Sequence, residues 1–79
     1  MHSQDNRIQA AKQAIVAANR QIEHSKREIL ALPPGPSPFG EEITRLNNRL
    51  RETHQDLIGE WSTISREAEA VLSEHLATA

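Results

Sequence analysis

Residues 32–40 read "LPPGPSPFG", and the fold depends on how that stretch is read. It holds all four prolines of the 79-residue chain and two of its three glycines. Proline lacks the amide hydrogen that an interior helical turn needs, and glycine carries a high entropic cost of ordering. A helix therefore stops on one side of this stretch and another begins beyond it. The stretch is too short, and too poor in flanking charge, for a proline-rich recognition motif; it reads as a rigid corner. Pro33-Pro34 ends the first helix and Gly35-Pro36 turns the chain. Ser37-Pro38 starts the second as cap and first-turn residue. Phe39 is expected to close the turn end against Leu32 or Leu30.

The flanking segments carry helical periodicity. Before the corner, Ile8, Ile15, Ile22 and Ile29 recur every seven residues, followed at three by Ala11, Ala18, Ser25 and Leu32. This is a heptad with isoleucine at one position and mostly small residues at the other. Ser3 or Asp5 can cap its start. After the corner, Ile43, Leu50, Leu57, Ile64 and Val71 again recur every seven. Leu46 precedes Leu50, whereas Trp61 and Ala68 follow at four, so the order predicts a stutter with His54 at the irregular layer. Gly59 lies inside this helix and opens a lesser alternative, a break there and a three-helix bundle.

The pattern predicts an all-α chain of one domain, residues 1–79, folded as an antiparallel two-helix hairpin. Helix 1 is expected over about 4–31, the turn over 32–38 and helix 2 over about 39–76. Pairing residues whose numbers add to 72 sets Ile29 against Ile43, Ile22 against Leu50, Ile15 against Leu57 and Ile8 against Ile64. The expected seam is thus Ile8, Ala11, Ile15, Ala18, Ile22 and Ile29 with Ile43, Leu46, Leu50, Leu57, Trp61, Ile64, Ala68 and Val71. In this register Trp61 faces Ala11. Residues 1–32 carry five basic and three acidic side chains, and residues 41–79 four and eight. The helices attract weakly, which biases the pairing more than it stabilises it.

A chain this short barely offsets the entropy of ordering itself, and with no cysteine it has no disulfide or thiolate zinc site. Apolar residues also spill beyond the seam, as in helices with two neighbours. Val16, Leu30, Ile58, Trp61, Leu72 and Leu76 are the expected oligomer or partner interface. The expectation is a homodimer of hairpins closing into a four-helix bundle. The polar N-terminus shows no signal peptide and no run is long enough to span a membrane, so a cytoplasmic protein is expected.

Signals for chemistry are weak. None of His2, His24, His54 and His75 lies three or four residues from another, so no metal or other cofactor is expected. Glu52, Asp56, Glu60, Glu67 and Glu74 form a strip that reads as a solvated helix face, and no catalytic residue is expected. The function read from the sequence is therefore non-enzymatic: an adaptor, co-chaperone or inhibitor that docks on or masks another protein through its apolar stripe. "LIGEWSTI" (57–64) is the segment where such a partner is sought. Two alternatives stand beside it. One is RNA or DNA binding through Arg7, Lys12, Arg20, Lys26 and Arg27, which the acidic balance and scarcity of aromatics disfavour. The other is a small-ligand sponge between hairpins.

Overall fold

The corner folds as two stops with a strap between them. The computed structural model describes residues 2–78, with side chains over 6–76. Helix α1 spans His2–Ala31 and helix α2 spans Glu41–Thr78. The caps expected from Ser3 or Asp5 lie outside the described side chains. At the end of α1 the Leu32 amide donates to the Ile29 carbonyl at 3.1 Å, a tightened final turn, and Pro33 cannot continue the ladder.

The start of α2 differs from the sequence reading. Ser37 is a turn residue and not the helix cap: its hydroxyl accepts from the Phe39 amide at 3.1 Å, and its carbonyl accepts from the Gly40 amide at 3.3 Å. Gly40 then opens the helix, its carbonyl accepting from the Thr44 amide at 3.2 Å. Its φ of 117° is a conformation that residues with a Cβ rarely adopt, so the chain turns at Gly40 and α2 begins at 41 rather than 39. Glu41 and Glu42 occupy the first turn, where the positive end of the helix dipole favours them. Gly40→Ala is expected to cost about 1–3 kcal/mol in chemical denaturation, the cost of strained backbone.

The helices pack antiparallel, and no strand occurs among the described residues. Their register differs from that expected. His54 meets Ser25, and Arg7 meets Glu74, so facing residues have numbers adding to 79 and 81 rather than 72. The shift is close to one heptad. It follows that α1 ends level with about residue 48, and the first two turns of α2 project past it. The strap 33–40 lies along this overhang. The Ser37 amide donates to Thr44 Oγ1 at 2.8 Å, and Arg51 donates to the Pro33 carbonyl at 3.2 Å. Phe39 is 85% exposed and Leu30 84%, so neither closes the seam.

α2 is also turned about its axis. Its better-covered positions include 47, 51, 54, 58, 61, 65, 68, 72 and 75, which step alternately by four and three. This is an uninterrupted heptad, so the expected stutter at His54 is absent, and α2 runs unbroken through Gly59. The cause is polar. Ser25 is buried and needs a partner, and His54 Nδ1 stands 3.4 Å from its hydroxyl. Arg51 beneath the strap satisfies the carbonyl of Pro33, which lies between the helices and has no ladder partner. Apolar spacing alone ignores both demands.

Gly59 points away from the seam. An added Cβ would meet nothing within 4 Å, and its φ lies outside the range closed to other residues. Gly59→Ala should therefore stabilise the fold by about 0.5–1 kcal/mol through helix propensity. A rise in the urea midpoint at constant slope checks this.

Candidate functional site

The register leaves one side of the hairpin apolar and open. α1 contributes Ala10 and Ala14, and α2 contributes Ile64 and Val71, to a shallow groove whose floor is Ala11 and Ala68 and whose rim is Arg7 and Glu67. Ile43, Leu50 and Leu57 continue the α2 edge at heptad spacing, with Leu46 beside them. Ile43, Leu46, Leu50 and Ile64 were expected inside the seam, but are 38–48% exposed. Leu57 and Val71 are half-buried. The overhang accounts for Ile43 and Leu46, since α1 does not reach them. The turn of α2 accounts for Leu50 and Ile64.

The converse exchange occurs among the residues expected at a partner interface. Ile58, Trp61 and Leu72 are half-buried and belong to the heptad facing α1, whereas Val16, Leu30 and Leu76 are exposed. Of the expected α1 seam, Ala11 and Ala18 are buried and Ile8, Ile15, Ile22 and Ile29 are half-buried. Trp61 comes level with Ala18 and not Ala11. Ala18 has no exposed surface, as expected where a large side chain covers a small one.

The buried core is correspondingly thin. Among the described residues it consists of Ala11, Ala18, Ala68 and the polar Ser25, and no large side chain is fully buried. The radius of gyration is 18.0 Å, with extents of 60 × 16 × 15 Å. A compact chain of this length would have a radius of gyration of about 12 Å. The hairpin is a rod two helices wide.

The basic residues of α1 do not converge. Arg7 pairs with Glu74 at 3.8 Å and Lys26 with Glu23 at 3.6 Å. Arg20 and Arg27 border a concavity with His24, but Glu23 lines it too. Lys12 lies with Arg20 around Val16. The rings of His24 and His54 stand edge to face with centroids 6.5 Å apart. No group of three or more potential metal ligands occurs among the described residues. No helix among them is long and apolar enough to cross a membrane.

Arg51 and the Ser25–His54 pair were missed as structural determinants. An arginine in heptad phase carries no sequence signal that it will reach a turn carbonyl. A serine among small seam residues does hint that a polar group will face it. No family model, curated protein or solved structure matches the chain, so the reading of function rests on this geometry.

Proposed function

We propose that the chain is a non-enzymatic protein–protein interaction module whose fold is completed by docking. Its first partner is a second copy, and the two hairpins close into a four-helix bundle. The observation that carries this reading is the missing core: no large side chain is fully buried among the described residues, while a row of large apolar residues stands open along one side.

Area supports the same conclusion. The hairpin exposes 6236 Å². A compact monomer of its 8.8 kDa would expose about 4,800 Å². The excess of roughly 1,400 Å² exceeds the ~800 Å² that each partner buries in a standard interface, and falls in the range of obligate dimers. The completed bundle then presents its charged outer faces to other proteins, acting as an adaptor, co-chaperone or inhibitor.

The test is the concentration dependence of thermal unfolding followed by circular dichroism. Coupling of folding to association predicts a midpoint that rises with protein concentration, because mass action favours the assembled state. A midpoint unchanged over a hundredfold range in concentration would contradict the proposal.

A further inference from the structure

We infer that His24 of α1 and His54 of α2 hold one divalent late-transition ion, of which Zn2+ is the type, between the two helices. The spacing of histidines along the chain shows no such pair, because ligands on facing helices have no fixed separation in sequence. The register brings these two together, with ring centroids 6.5 Å apart and the rings edge to face. A ring nitrogen lies roughly 1.1 Å from its centroid and about 2.0–2.1 Å from zinc, so two imidazoles on one tetrahedral ion have centroids roughly 5 Å apart. Closing the site takes an approach of about 1–1.5 Å on this geometry. His24 is exposed, so its ring can turn toward His54 without moving either helix.

An independent observation lies behind His54. Its Nδ1 stands 3.4 Å from Ser25 Oγ, and Ser25 is only 3% exposed. With an ion on Nε2, Nδ1 keeps its proton and donates to this buried hydroxyl. A partner at the far nitrogen is what fixes the tautomer and the ring orientation of metal-bound histidines. His54, half-buried and held by Ser25, is the fixed ligand, and His24 is the one that closes.

The donor set selects the ion. Arg20 and Arg27 border His24, and the one carboxylate in that concavity, Glu23, is paired with Lys26 at 3.6 Å. Calcium and magnesium require several oxygen ligands and are not served there. Imidazole suits zinc, copper and nickel. Two protein ligands leave the other coordination positions to water, so the ion stays hydrated and exchangeable. Because the ligands come from different helices, the ion acts as a cross-link in a chain that has no cysteine. An ion held only by the folded hairpin stabilises it by mass action.

The test is thermal unfolding with and without excess Zn2+, at one protein concentration so that association is held constant. With free zinc about tenfold above its dissociation constant, the midpoint should rise by roughly 5–10 °C. His24→Asn, at an exposed position, should keep the metal-free midpoint and lose the rise. A variant with His2→Asn and His75→Asn together should keep the rise. No rise in the full chain, a rise that survives His24→Asn, or one that vanishes with His2 and His75 would each overturn the site. Imidazole nitrogen resonances give a second reading that does not depend on stability. Zinc should shift Nε2 of both His24 and His54, and a change confined to one ring would overturn the bridge.

Discussion

Ile64→Glu should abolish self-association at micromolar concentration and unfold most of the chain. In the isolated hairpin Ile64 is 39% exposed, so the carboxylate could turn to solvent at modest cost. On a face covered by a second copy it cannot. Burial of an isoleucine side chain is worth about 1.5–3 kcal/mol, and an unpaired buried charge adds a larger penalty. The residue occurs twice in a symmetric dimer. A loss of about 4–6 kcal/mol per dimer raises the dissociation constant roughly a thousandfold or more. Val16→Glu is the control. Val16 is 52% exposed and lies outside the open groove, so its replacement should change stability by no more than about 0.5 kcal/mol. Sedimentation and circular dichroism on both variants separate the outcomes; equal, small effects would show that the groove is an ordinary solvated surface.

Ala18→Leu should destabilise as strongly for the opposite reason. Ala18 has no exposed surface and is level with Trp61 of α2. Three added carbons have no space there without pushing the helices apart. Overpacking of this kind costs about 1–3 kcal/mol. At 4–8 °C per kcal/mol for a chain of this size, the midpoint should fall by roughly 5–20 °C. Ala70→Leu, on an exposed position of α2, should leave the midpoint within a few degrees. If Ala18→Leu were as mild as Ala70→Leu, the helices would not meet at Ala18 and the register would be wrong.

The two helices and their corner were legible because their signals are local. Four prolines in nine residues admit no helix, and an isoleucine every seven residues admits little else. The open face was not legible because a heptad is self-similar. Sliding α2 by seven residues past α1 replaces Ile64 opposite Ile8 with Val71, and the apolar match is as good. What selects among such slips is polar and non-local: Arg51 to the Pro33 carbonyl and His54 to Ser25. Neither pair has a spacing that a pattern search would weigh. The exchange of roles on α2 follows from the same cause. Ile58 and Leu72 lie one residue from Leu57 and Val71, so a small rotation decides which pair faces α1. Two apolar stripes lie side by side on α2, and the structure decides which of them meets α1.

If the hairpin is half of a bundle, its folded mass is that of two chains. Sedimentation equilibrium measures it most directly, because it reports mass whatever the shape, and a 60 Å rod misleads methods that report size. A dimer that folds as it assembles gives one folded species at twice the 8.8 kDa chain mass at micromolar concentration, with helical content lost as it dissociates. A species at 8.8 kDa that stays helical and melts cooperatively would contradict it.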